Sequence, residues 1–129
     1  MERQAVNPWK WQDQFGFVQA NLVSGAEKVL YCSGQVSVDG DGSVVHADDM
    51  AAQMGKALDN LEAVLSGAGM ALENVVKLTI YVTDVDAAFE AYPSVGPRLA
   101  GAKSAQTFIG VSRLAFPGLM VEIDATAVA

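Results

Sequence analysis

Apolar and polar residues alternate along the second half of the chain, and this period of two predicts β-strands. Between residues 75 and 83, Val76, Leu78 and Ile80 fall on one face while Lys77 and Tyr81 fall on the other. The same period recurs over residues 106–112 and 119–128. Three strands are therefore expected here.

Two more strands are predicted in the first third of the chain. Residues 15–23 and 28–35 are rich in apolar and β-branched residues, and residues 24–27 lie between them. Gly25 can adopt the positive φ that a tight turn requires. These two strands are predicted to pair as a hairpin.

A different period separates the two groups of strands. From Met50 to Leu65 the apolar residues recur every three or four positions, which predicts an amphipathic helix. Asp48 or Asp49 can cap its start, and the glycines near its end favour a left-handed stop. A shorter helix is expected over residues 87–92, ended or bent by Pro93, with room for one more turn over residues 94–99.

The predicted order ββαβαββ defines an α+β fold with two helices packed on one face of a sheet, because each helix must bury its apolar stripe. The opposite face is expected to carry Tyr81, Phe108, Met120 and Glu122, a mixture too apolar for water. We therefore expect this face to be covered by other copies of the chain.

Composition narrows the function classes. A length of 129 residues suits one domain spanning residues 1–129, and the net charge of −7 disfavours nucleic acid and anionic membrane surfaces as partners. The start of the chain lacks a signal-peptide pattern, and no apolar stretch reaches the roughly 20 residues that cross a bilayer. With a single cysteine, Cys32, which reads as a small buried apolar residue, the expected location is the cytoplasm.

Familiar catalytic and cofactor motifs do not fit the sequence. One histidine and one cysteine cannot form a metal cluster, so no metal is expected. The glycines follow neither the dinucleotide nor the P-loop spacing, and no nucleophile elbow is present. Glu122 is different, because it lies between Val121 and Ile123 in an apolar strand. Spacing alone leaves two interpretations open, a pocket acid or base with a raised pKa and a residue on the solvated face.

Five segments of the chain share an order and spacing that point to one protein family. They are Leu30-Tyr31-Cys32-Ser33-Gly34-Gln35, Ala51-Ala52-Gln53, Leu58-Asp59-Asn60-Leu61, Asn74-Val75-Val76-Lys77 and Val121-Glu122-Ile123-Asp124-Ala125. Together, from about Phe15 to Val128, they resemble the RidA/YjgF family. The resemblance implies the chorismate-mutase-like fold, with a mixed sheet of the six-stranded type, and a homotrimer. It also implies clefts between subunits that bind small carboxylates and, in active members, hydrolyse enamines or imines without a cofactor.

The resemblance implies which residues of this chain stand at the family's site positions. Ser33, Gly34 and Glu122 match the family's cleft and are the candidate catalytic residues. Phe17 stands where the family has a tyrosine, and Gln106 stands where it has the arginine that binds the substrate carboxylate. Loss of a bidentate arginine contact should weaken 2-iminoacid binding by roughly 10²-fold or more.

Two functions follow. The first is hydrolytic deamination of an imine or enamine other than a simple 2-iminoacid, with Phe17, Gln106, Tyr81 and Phe108 binding the substrate. The second is a trimer of the same fold that binds a small metabolite without turnover or acts as a chaperone. No cofactor is expected in either case, and the positions of Trp9, Trp11 and Phe116 decide the specificity in ways that the sequence leaves open.

Overall fold

A computed structural model describes residues 1–129. It contains six strands and three α-helices, linked by three short 3₁₀ turns. The strands are β1 (Glu2–Val6), β2 (Ala20–Ser24), β3 (Val29–Val36), β4 (Val75–Val82), β5 (Ala105–Gly110) and β6 (Val121–Val128), and the helices are α1 (Met50–Gly67), α2 (Val85–Ala91) and α3 (Gly96–Ala100).

Four strands form a mixed sheet in the order β3-β6-β4-β5. β4 and β5 run parallel, as a crossover through α2 and α3 requires, whereas β6 is antiparallel to both of its neighbours. β1 and β2 form a separate antiparallel ribbon, which approaches the sheet at a single parallel bridge between Val18 and Ala105. The predicted α+β class with a mixed sheet is confirmed.

The predicted hairpin of the first two strands is wrong. The chain does bend at Gly25, which has a φ of 67°. However, β2 pairs with β1, with Val6 opposite Ala20, and β3 pairs with the carboxyl-terminal strand β6. The glycine signal therefore identified only a bend between the two strands. The choice of partner followed from the long antiparallel ladder that β3 gains along β6, and β1 gave no alternation strong enough to be recognised.

α1 and α2 each follow a capping aspartate, but α2 begins at Val85, two residues before the predicted start at residue 87. The Asp49 carboxylate accepts a hydrogen bond from the Ala52 N–H at 3.0 Å, and Asp84 accepts one from Ala87 at 3.0 Å. Gly69, with a φ of 71°, reverses the chain just after α1. Pro93 lies in a 3₁₀ turn directly after α2, as expected. No helix is both long and apolar enough to cross a lipid bilayer.

The main core lies between α1 and one face of the four-stranded sheet. Buried side chains of α1 such as Met54, Leu58 and Leu61 pack with Leu78, Ile80, Ile123 and neighbouring residues of β4 and β6. We call this side of the sheet the helix face, and the opposite side the open face.

The expected composition of the open face is partly wrong. Tyr81 and Glu122 are paired across β4 and β6 and share this face. Phe108 is opposite Ile80 in the parallel register, so it lies on the helix face and stacks on Phe89 of α2. Met120 precedes β6 and packs against the core. Alternation within β5 was identified correctly, but only the register with β4 decides which set of residues points toward the helices.

Side chains of Arg3 and Asn21 attach the β1–β2 ribbon to the sheet. The Arg3 guanidinium donates hydrogen bonds to the main-chain carbonyls of Glu73 at 2.8 Å, Val75 at 2.9 Å, Ala102 at 2.5 Å and Lys103 at 3.0 Å. Partial burial lowers the pKa of Arg3 from its ordinary value. The ribbon, and with it the segment leading to Phe17, is thereby held beside β5.

Candidate functional site

The candidate residues form two groups on opposite faces of the sheet. Phe17, Gln106 and Phe108 line one groove at the β5 edge of the helix face. Glu122 and Tyr81 lie on the open face. A four-stranded sheet separates the two groups, so they cannot contact one small ligand within a single chain.

The groove at the β5 edge has a volume of about 410 Å³, within the range of roughly 300–1,000 Å³ that is typical of small-molecule pockets. One wall is the segment after β1, where Trp11 and Phe17 meet edge to face with ring centroids 5.7 Å apart. The other wall is α2 and β5, where Phe89 and Phe108 are stacked with centroids 4.9 Å apart and planes 13° from parallel. The lining is completed by Phe15, Tyr92, Pro93 and Gln106.

Gln106 provides the neutral amide in this aromatic groove. Its Nε2 donates to the Ser104 hydroxyl at 3.2 Å, which leaves its carbonyl oxygen free of protein partners. No charged residue lines the groove. Two arginines elsewhere in the chain do not supply the missing cation. Arg98 pairs with Asp59 at 2.9 Å and Glu62 at 3.2 Å on α1. Arg113 lines a separate pocket in the loop before β6.

Glu122 is placed against a glycine on the open face. A Cβ atom added at Gly34 would lie 2.5 Å from Cδ and 2.6 Å from Oε2 of Glu122, closer than real Cβ contacts come. The sequence therefore needs glycine at this position for the carboxylate to rest against β3. Ser33 is next to it and exposed.

A β-bulge creates this arrangement. Cys32 is opposite Ala125 and Gln35 is opposite Ile123, so Ser33 and Gly34 together oppose one residue of β6. The one extra residue interrupts the regular ladder of hydrogen bonds beside Glu122. Bulges are common next to functional sites. Sequence parity alone could not reveal the bulge.

Tyr81 extends the polar part of the open face. Its hydroxyl donates to Asp124 Oδ2 at 3.0 Å. This hydrogen bond, with the negative charges of Asp124 and Glu122, raises the pKa of the Tyr81 phenol above its ordinary value. The hydrogen bond also restrains the Asp124 carboxylate beside Tyr81 on the open face.

The amide of Gln53 fixes the segment that leads into β6. Its Nε2 donates to the carbonyls of His46 at 3.2 Å and Gly118 at 2.8 Å, and its Oε1 accepts from the Met120 N–H at 2.8 Å. Gln53 is fully buried, so these bonds are protected from water. Glu122 lies two residues after Met120, so these hydrogen bonds hold the start of β6 against α1.

Sequence reasoning did not place five of the groove residues, which are Trp11, Phe15, Phe89, Tyr92 and Pro93. The sequence left the positions of Trp9 and Trp11 open. In the structure Trp11 is 56% exposed and lines the groove, while Trp9 is 60% exposed and lies outside it. The available signal was the cluster of four aromatic residues between residues 9 and 17. Phe116 lines the separate pocket near Arg113.

No group of three or more His, Cys, Asp or Glu side chains is arranged to hold a metal ion. The chemistry that the two faces offer is therefore that of a carboxylate, hydroxyl groups, main-chain amides and an aromatic groove.

Comparison with known proteins agrees with this fold. A family model described as Endoribonuclease L-PSP matches residues 14–129. A protein of unknown function of the Rid family, YyfB from Yersinia pestis, has a solved structure with a TM-score of 0.86 and 33% identity, covering 100% of both chains. These features define an α+β protein of the RidA type.

Curated relatives point the same way. Protein DfrA of Myxococcus xanthus is 31% identical over 128 residues, which cover 99% of this chain and 97% of DfrA. A 2-iminobutanoate/2-iminopropanoate deaminase of Salmonella typhimurium is 33% identical over 106 residues, 78% of this chain and 79% of that enzyme. The chain belongs to the Ribonuc_L-PSP family, the RidA/YjgF family.

Proposed function

We propose that three copies of the chain assemble and that each cleft between them hydrolyses a small imine or enamine without a cofactor. The observation that carries this proposal is the division of the candidate site between opposite faces of one sheet. If the groove of one subunit meets the open face of the next, Gln106 and Phe108 come to face Glu122 of the neighbouring copy. The kinship with a 2-iminobutanoate/2-iminopropanoate deaminase supports imine hydrolysis as the reaction.

The open face has the properties of a surface that other copies cover. Tyr31 of β3 is 79% exposed and Ile109 of β5 is 46% exposed, and both lie on this face with Tyr81. Removing such aromatic and aliphatic side chains from water lowers the free energy of the assembly. A trimer would thus bury the open face and close the clefts in one step.

In the proposed reaction, the Glu122 carboxylate accepts a proton from a water molecule as the water oxygen attacks the C=N carbon, and it returns this proton to the nitrogen to give a carbinolamine. Glu122 then accepts the proton of the carbinolamine hydroxyl and passes it to the amine nitrogen. The C–N bond breaks as the C=O bond forms, and ammonia and a carbonyl product leave. Ser33 positions the water or the nitrogen through its hydroxyl, and Gly34 leaves the space that the carboxylate occupies. Gln106 and the aromatic groove hold the rest of the substrate.

The test is ammonia release from imines that are generated in situ, comparing the native protein with Glu122→Gln. Gln has the same shape but cannot accept the proton, so we expect a loss of about 10²-fold or more. Light scattering must report the same assembly for both proteins. Unchanged turnover in an intact Glu122→Gln assembly would exclude the catalytic role of Glu122.

Binding without turnover is the second candidate, and the neutral groove favours it. With Gln106 in place of a cation, the cleft lacks the group that would hold an iminoacid carboxylate. The net charge of −7 opposes the RNA backbone as a ligand, which favours a small molecule in either candidate. Saturable ligand binding with no ammonia release from any imine would select this function.

A further inference from the structure

The chemistry of the groove indicates what the proposed cleft holds. Six of its eight lining residues are aromatic, and the remaining two are Pro93 and Gln106. Aromatic walls bind planar rings well because they offer both stacking and edge-to-face contacts. A short aliphatic iminoacid would leave most of this surface without a partner.

The rings are arranged around an opening. Phe89 and Phe108 form a nearly parallel pair, while Trp11 and Phe17 are inclined at 75° to one another. Phe89 remains 59% exposed and Trp11 56% exposed, so both walls keep free ring surface for a ligand. A flat ring between the walls can contact the face of one ring and the edge of another.

The electrostatics of the groove disfavour an anionic group at this end of the ligand. No Lys, Arg or His lines it, and Arg98 is engaged by Asp59 and Glu62 elsewhere. An anionic ligand would lose its hydration here without gaining a cation, and the chain is itself acidic. A cation would find only ring faces, with no carboxylate among the lining residues.

The one polar group gives the ligand its orientation. The Gln106 carbonyl oxygen has no protein donor, and one N–H remains after the bond to Ser104. A neutral group that carries both a donor and an acceptor, such as a primary amide, therefore matches the Gln106 amide.

We propose that the groove binds an uncharged aromatic molecule whose polar substituent pairs with Gln106, so that the substrate is an aromatic imine or enamine lacking a carboxylate. This inference rests on the proposed function, because it specifies the substrate class of the same cleft. Gln106 is then a specificity-determining residue that selects against carboxylates.

The experiment uses three simple probes and the fluorescence of Trp11. Benzamide has the ring and the neutral amide, cyclohexanecarboxamide keeps the amide but loses the aromatic ring, and benzoate keeps the ring but carries a charge. The full chain is used as Trp9→Phe, since Trp9 lies outside the groove and its removal leaves Trp11 as the single indole reporter. Trp11→Phe, which retains only Trp9, is the matched control.

We expect benzamide to bind with a dissociation constant about tenfold or more below those of the other two probes, a difference of about 1.4 kcal/mol. The signal should be absent in Trp11→Phe. Adding Gln106→Arg to Trp9→Phe should reverse the preference, tightening benzoate by about tenfold or more and weakening benzamide, because the new cation pairs with the carboxylate.

Any one of four results would overturn the inference. These are equal affinity for benzoate and benzamide, equal affinity for benzamide and the saturated ring, a signal confined to Trp9, and no saturable binding of any probe. Binding is measured here without turnover, so the two proposals can fail separately. Benzamide binding without ammonia release from any imine would overturn hydrolysis alone. Turnover of carboxylated imines as fast as uncharged aromatic ones would overturn the substrate class alone.

Discussion

At the scale of single residues, the contact between Gly34 and Glu122 connects sequence to chemistry most directly. The carboxylate occupies the space of a missing Cβ, and the bulge at Ser33 and Gly34 brings β3 toward it. The role of Gly34 is therefore to leave room for Glu122, and its φ is not in the left-handed region.

Gly34→Ala should separate activity from stability. The atoms that the new methyl group meets are the flexible end of the Glu122 side chain, which can rotate away. We expect the free energy of unfolding in urea to change by less than about 1 kcal/mol, while ammonia release falls by about tenfold or more because the carboxylate is displaced. Full activity in Gly34→Ala would contradict the placement of Glu122.

The pair of Tyr81 and Asp124 can be tested by pH. The hydrogen bond and the nearby negative charges favour the protonated phenol, so they raise its pKa above the usual 10.0. Asp124→Asn removes one charge and the strong acceptor, and tyrosinate absorbance should then develop at lower pH. In a Tyr81→Phe background, Asp124→Asn should leave the tyrosinate titration unchanged. An equal shift in both backgrounds would show that Asp124 acts elsewhere.

At the scale of elements, the β1–β2 ribbon depends on one guanidinium. Arg3 reaches four carbonyls at or just before the starts of β4 and β5, and Asn21 adds bonds to Val76 and Lys103. The ribbon has few other attachments to the sheet, where the only bridge is between Val18 and Ala105.

Arg3→Met should therefore lower the free energy of unfolding by about 2 kcal/mol, since hydrogen bonds from charged groups are lost and several carbonyls lose their donor. Arg3→Lys should retain only part of the stability that Arg3 provides, because an ammonium group cannot reach all four carbonyl acceptors. Arg113→Met, at an exposed loop residue, is the control and should change stability by less than about 0.5 kcal/mol. Equal stability of Arg3→Met and the native chain would refute the anchoring role.

The helices and the strands after residue 28 were predictable because their signals are local. Asp49, Asp84, Gly69 and Pro93 act within a turn of the residues that they cap or stop, and alternation identified β4 and β6. Pairing was less predictable. The partner of β2 and the facing of Phe108 depend on register between strands that are distant in sequence, which no local pattern contains.

The candidate site was predictable to a similar extent. The resemblance selected Ser33, Gly34 and Glu122, and the structure brings Gly34 and Glu122 into contact. The groove, by contrast, is assembled from three separate segments of the chain, and its wall residues Trp11 and Phe89 belong to no recognised motif. Cavities of this kind follow from packing and cannot be inferred from spacing.

At the scale of the whole molecule, the proposed function requires a cleft to which each of two copies contributes one half. The groove on the helix face and the carboxylate on the open face are useful together only across a subunit boundary. Symmetric closure of three subunits would give three identical clefts and leave no unpaired half.

Mixed assemblies of two inactive variants test this requirement most directly. Glu122→Gln loses the carboxylate, and the double variant Gln106→Ala/Phe108→Ala loses the groove, yet a mixed trimer retains one cleft with both halves intact. Equal mixing should therefore restore roughly a quarter of the native ammonia release. Mass spectrometry verifies that mixed trimers have formed. If these mixed trimers are as inactive as the two separate variants, the result would contradict a cleft shared between subunits.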